Sequence, residues 1–550
     1  MSLLIMRAGY SDVQPGVIGR ETSLPSPNRI FGKRIPITIP VEFTDEHTLL
    51  SYLGVTPQEL KKIWWYRAAM YTEFSIPKGS GKSRLITAPD NRLKLLQRKL
   101  LQLLDQLYLV RNPVHGFVAD RSVKSNAEAH VNRRHVVNID LKDFFPSITE
   151  NRIRGLLRAF GIDHRVSEIV ARLCCYNGYL PQGAPTSPIL SNMICYRLDT
   201  VLLQIAKAAR AIYTRYADDI TFSTFQPPAG LYEGAIPATG RFPPDLLAAN
   251  LREAVSGNGF TLNPDKAHYA DHRARRVVTG LKINEFINVD RRYVRNVRAA
   301  LHSVEKIGID DAQARFETEF YGNASLAAHL AGKISWLSFI KGPTDPLVRD
   351  IMLRYNRCFP AQPLKVEPTE LDRRNRAVWL VEHDGNAGTQ GTCFFLKDVG
   401  LVTAAHCVAN VDDVEIYHPS KRSNRFKAKV LKRHEDRDLA LLEPALPNTE
   451  YLELEVSVQT FAEGAQTVSL GYPDYGPGDA LNVRPGTISS LPMKHGIQLI
   501  EVTQKIAQGM SGGALLDDHQ YVVGVNHKGA PESERNLAVH IQELIDWLDE

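Results

Sequence analysis

The sequence predicts a multidomain chain, α+β over about its first two-thirds and all-β thereafter. Three observations carry that prediction. A length of 550 residues exceeds what one hydrophobic core accommodates. Helical periodicity over 57–71 and 93–109 is interleaved with isolated apolar strands. From residue 370 short apolar strands alternate with turns, at 377–382, 391–396, 414–417 and 465–470, the spacing of a barrel or sandwich.

Apolar residues make up 43% and charged residues 23%, ordinary for soluble globular protein. No apolar run approaches the roughly 20 residues that span a bilayer. The start, Met1-Ser2-Leu3-Leu4-Ile5-Met6-Arg7, lacks the pattern of a secretory leader. A cytoplasmic protein without a membrane partner is expected. The cysteines, Cys174, Cys175, Cys195, Cys358, Cys393 and Cys407, form no CxxC pair, which argues against a zinc cluster and for reduced thiols. Net charge is only +5, but basic residues concentrate at 61–99 and 273–298, and basic stripes suit phosphate. A solvated basic helix face is the plainer alternative. Breaks fall at 226–244, 342–346 and 358–369, the last read as an interdomain linker. Residues 1–55 carry no assignment, serving either as an arm on a partner or as a packing extension.

Along the first part, 74–86 (FSIPKGSGKSRLI) looks like a phosphate loop at a glance. Such a loop needs glycine five residues before its Gly-Lys-Ser, where Ile76 stands. The segment reads instead as a β-hairpin carrying Lys82 and Arg84 toward a triphosphate. In 136–148 (VVNIDLKDFFPSI) Asp140 ends a buried strand. Phe145 is spaced to pack under the sugar of an incoming nucleotide and exclude a ribose 2′-OH; core packing is the alternative for Phe144 or Phe145. In 180–192 (LPQGAPTSPILSN) Gln182-Gly183 lets backbone approach a base pair, and Pro188 fits the first turn of a helix over 189–203.

Tyr216-Ala217-Asp218-Asp219 reads as a hairpin with an acidic tip between β-formers. Alone it is an ordinary turn. With Asp140 it gives three aspartates delivered by two β elements, a set able to hold two Mg²⁺ ions for nucleotidyl transfer from dNTPs. In 259–266 (GFTLNPDK) Lys266 falls beside such a site, and Val278-Thr279-Gly280-Leu281 begins a further short strand.

These blocks in this order resemble a reverse transcriptase of the retron type, over about residues 60–345. Two features narrow the resemblance: Asn126-Ala127-Glu128-Ala129-His130, like the NAxxH element ahead of the first catalytic aspartate, and the Val278-Thr279-Gly280 element. The resemblance implies a right-hand fold, with fingers and palm over 56–289 and a helical thumb over 290–357. It implies Asp140, Asp218 and Asp219 as catalytic metal ligands, and a cognate structured noncoding RNA as partner. It also implies priming from a 2′-OH of that RNA, leaving a branched RNA–DNA product. Asn126 and His130 are expected on the RNA. So are Arg291, Arg292, Arg295 and Arg298, which open the thumb in a basic and aromatic stretch.

In 370–550, Leu401-Val402-Thr403-Ala404-Ala405-His406-Cys407 places a histidine just past a buried strand, and Asp438 heads the run Leu439-Ala440-Leu441-Leu442. Gln508-Gly509-Met510-Ser511-Gly512-Gly513 places a serine in a glycine-rich turn. Ser511 needs His406 as base, and His406 needs a buried carboxylate to fix its tautomer. Asp438 is preferred to Asp436 because the apolar run begins directly after it. Gly509 and Ser511 can supply backbone N–H groups to an oxyanion. The order His, Asp, Ser resembles the chymotrypsin-like serine proteases, implying an all-β double barrel. Met510 stands where activatable members carry aspartate, so activation by clipping is not expected. Cys393 and Cys407 are expected as free thiols. Lys505 falls where the specificity-pocket base lies, which would favour an acidic residue or simply point away. A barrel that has lost catalysis and is retained only for binding is the alternative, against which the presence of all three of His406, Asp438 and Ser511 argues.

The combined expectation is a defence-type enzyme that makes and retains branched RNA–DNA, with the protease as antiphage effector acting on an unidentified protein. Two alternatives stay open: an RNA-bound scaffold regulating a protease, and an intron-type or diversity-generating reverse transcriptase. An oligomer is left open.

Overall fold

The computed structural model describes residues 29–30, 33–34, 38–77, 83–320, 324–383, 389–447, 449–457, 459–527 and 535–550. It divides into two compact units, Met1–Leu364 and Lys365–Glu550.

In the first unit, helix α1 (Pro57–Tyr66) starts at a Thr56/Glu59 capping box with proline in its first turn. The periodicity predicts helix to 71, but a 3₁₀ turn over Arg67–Met70 intervenes and Tyr71 already belongs to a two-stranded ribbon. That ribbon pairs β1 (Tyr71–Pro77) with β2 (Ser83–Pro89). Helix α2 (Asn91–Leu107) is capped by Asp90 and buries Leu93, Leu96, Leu100, Leu103, Leu104 and Leu107 on one face.

The core of the unit is an antiparallel sheet of β3 (His135–Asp140), β4 (Ile212–Tyr216), β5 (Asp219–Thr224), β6 (Gly240–Arg241) and β7 (His268–Ala270). Its order is β4-β5-β3-β7-β6, with β3 in the middle. Helix α3 (Val123–Glu128) precedes it, and α4 (Ser187–Ile194) and α5 (Tyr196–Ala208) lie within it in sequence. The sequence predicts one helix over 189–203. A turn at Cys195 divides it, yet bonds from Cys195 N to Ser191 O (3.0 Å) and from Asp199 N to Cys195 O (2.8 Å) keep the halves nearly continuous. A hairpin of β8 (Val277–Val278) and β9 (Leu281–Lys282) turns through Thr279 and Gly280, both at positive φ.

Helices α6 (Arg291–Ile307), α7 (Ile309–Phe320), α8 (Leu326–Lys341) and α9 (Pro346–Cys358) follow. The break at 342–346 is a helix stop at Gly342 and a new cap at Asp345, with Pro346 in the first turn. A bidentate Arg354–Glu305 pair (3.0 and 2.8 Å) ties α9 to α6, and the Tyr293 hydroxyl donates to Lys333 O at 3.0 Å. No helix among the described residues is long and apolar enough to cross a membrane.

In the second unit, six strands close a barrel: β10 (Val378–His383), β11 (Thr389–Leu396), β12 (Gly400–Thr403), β13 (Asp413–Tyr417), β14 (Arg425–His434) and β15 (Leu439–Pro444), in the order β10-β11-β12-β15-β14-β13. Strands β16 (Gln466–Gly471), β17 (Asn482–Ser490), β18 (Met493–Lys494), β19 (Ile497–Val502), β20 (Ala514–Asp517), β21 (Val522–His527) and β22 (Asn536–His540) form the second sheet. Its order is β17-β16-β20-β21-β22-β19-β18, and a β17–β19 pairing closes six of these strands into a ring. Alternation explains the two-sided burial of β10. Trp379 and Val381 join the interior of the first barrel, while Val378 and Leu380 join a core shared with Leu470, Ala514 and Val539 of the second. This is the all-β double barrel that the sequence predicts. All six cysteines are buried free thiols, Cys393 and Cys407 included.

Candidate active sites

The first site lies at one end of the central sheet. Asp140 stands opposite Asp219 in the β3–β5 ladder, and Tyr216 pairs with Asp219, leaving Ala217 and Asp218 as a two-residue turn. Ala217 takes the positive φ such a turn requires. Asp140 is buried; Asn263 donates to its Oδ1 at 2.8 Å and the Lys266 ammonium holds its Oδ2. Asp219 opens to solvent within a crowded cleft. Burial, with the charges of Asp218 and Asp140, raises its carboxyl to about 7, and burial with Asp140 raises Asp218. Burial opposes the charge of Lys266, but Asp140, Asp218 and Asp219 raise its pKa on balance.

One ammonium against three carboxylates leaves surplus negative charge carried by hard oxygen donors, which fits divalent cations of the magnesium type.

Sequence reasoning missed what anchors the acidic turn. Arg215 is fully buried and donates to Asp199 through Nε (2.7 Å) and Nη2 (2.8 Å). Its Nη1 donates to Asn192 Oδ1 and to the Ala217 carbonyl, both at 3.1 Å. The Tyr213 hydroxyl adds a 2.6 Å bond to Asp199. Gly116 lies so close that a Cβ there would come 2.4 Å from Ala217 N.

Phe145 is half-buried, 6.1 Å from the Phe117 ring and 5.3 Å from Phe144; Phe144 is the core member, stacked on Phe260 at 5.8 Å. Arg84 is exposed on β2, and Lys82 lies outside the described residues. The Gln182 carbonyl accepts from Thr87 N at 2.9 Å, and a Cβ on Gly183 would meet Thr87 O at 2.9 Å. The close approach expected toward a base pair is thus already taken up by β2.

Asn126 and His130 are corrected as RNA contacts. Both are buried, and His130 bonds Ser223 Oγ at 2.6 Å and Thr214 Oγ1 at 2.7 Å, pinning α3 to β5 and β4. Burial lowers His130 to about 3, so it stays neutral. Arg291, Arg292, Arg295 and Arg298 are all exposed on α6. Arg292 and Arg298 lie 3.8 Å from Asp290 and Asp350, while Arg291 and Arg295 have no ion pair among the described residues.

In the second unit, His406 sits on a 3₁₀ turn after β12, and Asp438 directly precedes β15. His406 Nδ1 donates to Asp438 Oδ2 at 2.7 Å, and the His406 backbone N–H donates to Oδ1 at 2.9 Å. Burial alone would raise Asp438, but bonds from His406 and His527 hold it far below the carboxylate range. Burial opposes the charge of His406, yet Asp438 and the neighbouring Cys407 lift its pKa above the ordinary histidine value. Asp436 is exposed and does not bond His406.

Ser511 is buried between Gly509 and Gly512, both at positive φ, and its carbonyl accepts from Thr392 N at 2.9 Å. No hydrogen bond joins its hydroxyl to His406. Neither Gly509 N–H nor Ser511 N–H has a partner among the described residues. Met510 is fully buried. Lys505 is exposed, and it is the neighbouring Gln504 that turns inward, to Thr467 (3.1 Å) and Ser469 (3.0 Å). His527, which no motif marks, donates Nδ1–H to Asp438 Oδ2 at 2.6 Å.

Comparison with known proteins agrees with this division. The family model for reverse transcriptase (RNA-dependent DNA polymerase) matches residues 76–283, and that for the trypsin-like peptidase domain matches 391–525. The Retron Mx162 reverse transcriptase of Myxococcus xanthus is 36% identical over 293 residues, 48% of this chain and 60% of that protein. The Retron Ec86 reverse transcriptase of Escherichia coli is 31% identical over 298 residues, 54% of this chain and 83% of that protein. The match spans only 60% of the length of that M. xanthus protein and 62% of the Retron Mx65 reverse transcriptase of the same organism, which is 35% identical over 292 residues. Among solved structures, the Rv3671c protease of M. tuberculosis in its active form is 22% identical, covering 34% of this chain and 92% of that one, with a TM-score of 0.29. The chain belongs to the retron reverse transcriptases and carries a trypsin-like peptidase domain behind the polymerase region.

Proposed function

We propose that the first unit is an RNA-directed DNA polymerase that copies a cognate structured noncoding RNA into branched RNA–DNA. We further propose that the second is a serine endopeptidase acting as the effector of antiphage defence. The observation that carries the polymerase reading is Asp140 in register with Asp219, beside the anchored Asp218 turn. Asp140, Asp218 and Asp219 would hold two Mg²⁺ ions, which when bound supply Lewis acidity to the attacking hydroxyl and the departing pyrophosphate. Lys266 orients Asp140, the Phe145 face meets the sugar, and Arg84 with Lys82 meets the triphosphate. The exposed α6 arginines grip RNA backbone.

In the peptidase, His406 takes the Ser511 proton as that oxygen attacks the scissile carbonyl, then returns it to the leaving amine. Asp438 holds the tautomer that leaves Nε2 free to accept. The N–H groups of Gly509 and Ser511 receive the oxyanion. Met510 in place of the aspartate of activatable members, with the internal start of the domain, supports a peptidase that is not switched on by clipping.

Sequencing nucleic acid that purifies with the protein tests the first half. Branched DNA is expected, and is lost in Asp218→Asn/Asp219→Asn. A wild-type protein that retains RNA but incorporates no deoxynucleotide would instead establish a scaffold. Ser511→Ala is expected to abolish phage protection while DNA synthesis continues; intact protection would remove the effector role.

A further inference from the structure

The hydrolytic centre contains one more imidazole than a base and its carboxylate require. His527, at the end of β21, donates to the same Asp438 Oδ2 that accepts from His406, at 2.6 and 2.7 Å. One ligand atom of each of the three side chains lies within 4.8 Å of the other two. The rings stand edge to face at 81°, centroids 6.2 Å apart, so both Nδ1 atoms converge on one oxygen without stacking. Asp438 is 10% exposed, whereas the His406 and His527 side chains are 35% and 32% exposed. Both imidazoles are thus part-exposed at the rim of the site while the carboxylate lies in the barrel wall.

Two imidazoles and a carboxylate are a recurrent ligand set for zinc and its neighbours, completed by water in a fourth position. With metal–ligand bonds of about 2.0–2.2 Å, tetrahedral ligand atoms stand roughly 3.3–3.6 Å apart. The Oδ2···N spacings of 2.6 and 2.7 Å need to widen by about 0.6–1 Å, within reach of side-chain rotation. We infer that His406, Asp438 and His527 form a site for a divalent transition metal that switches the hydrolytic centre off. The regulatory role, though not the metal site itself, rests on reading these residues as that centre.

The chemistry makes metal binding and catalysis exclusive. A metal at His406 Nδ1 displaces the hydrogen there. In the neutral ring that proton passes to Nε2, with no net proton loss and no redox change. Nε2 is the atom that has to accept the Ser511 proton, so as an N–H it can no longer act as base. The Asp438 carboxylate is spent on the metal as well. Magnesium asks for oxygen ligands in an octahedron, so the ions suited to the three aspartates leave this site alone.

The test uses the full chain and a fluorophosphonate probe, which labels an activated serine hydroxyl whatever the natural substrate. Labelling is followed against buffered free Zn²⁺ at constant Mg²⁺, each protein referred to its own zinc-free rate. Zinc is expected to block the parent reversibly. Losing even an outer-shell partner costs roughly 10–100-fold in metal affinity, so His527→Ser and His527→Gln should shift the midpoint at least as far. Zn²⁺ calorimetry on the Ser511→Ala chain, with and without His527→Ser, reads the site without activity; the second substitution should remove one equivalent. Equal midpoints in parent and both variants, or unchanged stoichiometry, overturns the site. Absent labelling in the parent with the calorimetric difference intact overturns only the hydrolase reading.

Discussion

Replacing Arg215 by methionine separates what holds the acidic turn from what reacts there. The guanidinium has no exposure to solvent, and its donors serve Asp199, Asn192 and the Ala217 carbonyl. Without it, Asp199 is a buried carboxylate left with the Tyr213 hydroxyl as its side-chain donor. Breaking one side of such a pair costs about 3–5 kcal/mol. The charged bond to Ala217 O is worth about 1.5–3 kcal/mol, roughly a tenfold to hundredfold loss in incorporation if all of it positions Asp218. Replacing the whole pair, Arg215→Met with Asp199→Leu, strands no charge and should recover most of the stability. It restores no donor to Ala217 O, so incorporation stays low. Urea unfolding of the full chain measures the first quantity, with the unsubstituted second unit as internal reference. Single-turnover deoxynucleotide incorporation measures the second. A single variant within about 1 kcal/mol of the parent, or a double variant no more stable than the single, refutes the argument.

Three further outcomes follow from the same geometry. Asp219 titrates near 7 in the folded chain and near 4 unfolded, so the native state holds the extra proton between those values. Its contribution to stability falls as pH rises through that window; Asp219→Asn should flatten the decline in metal-free urea titrations, and a steeper decline contradicts it. His130→Ala should cost about 2–4 kcal/mol without changing the RNA affinity of the folded protein, whereas Arg291→Ala/Arg295→Ala should lower the salt slope of RNA binding by about two. Filter binding across a salt series distinguishes them. Because Asp438 lifts His406, the acid limb of peptidase activity should lie above the ordinary histidine value of about 6.5; a limb at or below it contradicts the pairing.

The residues of both candidate sites are legible because each chemistry demands a fixed residue type at a strand end. Asp140 closes one apolar run, Asp438 opens another, and Ser511 sits in a turn whose glycines no side chain can replace. Short-range letters are ambiguous where packing asks for the same residue. Gly183 reads as room for a base pair, but Thr87 fills the space; His130 reads as an RNA contact, but two hydroxyls occupy both its nitrogens. Arg215 and His527 are illegible for another reason. Their partners, Asp199 and Asp438, come from elements brought alongside only by the tertiary fold, and a strand arginine or histidine has no local signature.

The two short elements that mark the retron type form one structural piece. Helix α3 packs on the β8–β9 hairpin and on β4, with the Thr279 hydroxyl donating to Val123 O at 3.0 Å and Asn132 N to Ile283 O at 3.3 Å. Just past the end of α3, His130 reaches the strands on either side of the acidic turn. The other side of the hairpin is open: Thr279 and Gly280 line a cavity of about 520 Å³ together with Asp219, Thr221, His268 and Arg275. A buried polar network that is fully satisfied fixes position rather than binding. His130, with both ring nitrogens bonded, therefore fixes the end of α3 against β4 and β5, and the hairpin on which α3 packs walls the space beside Asp219.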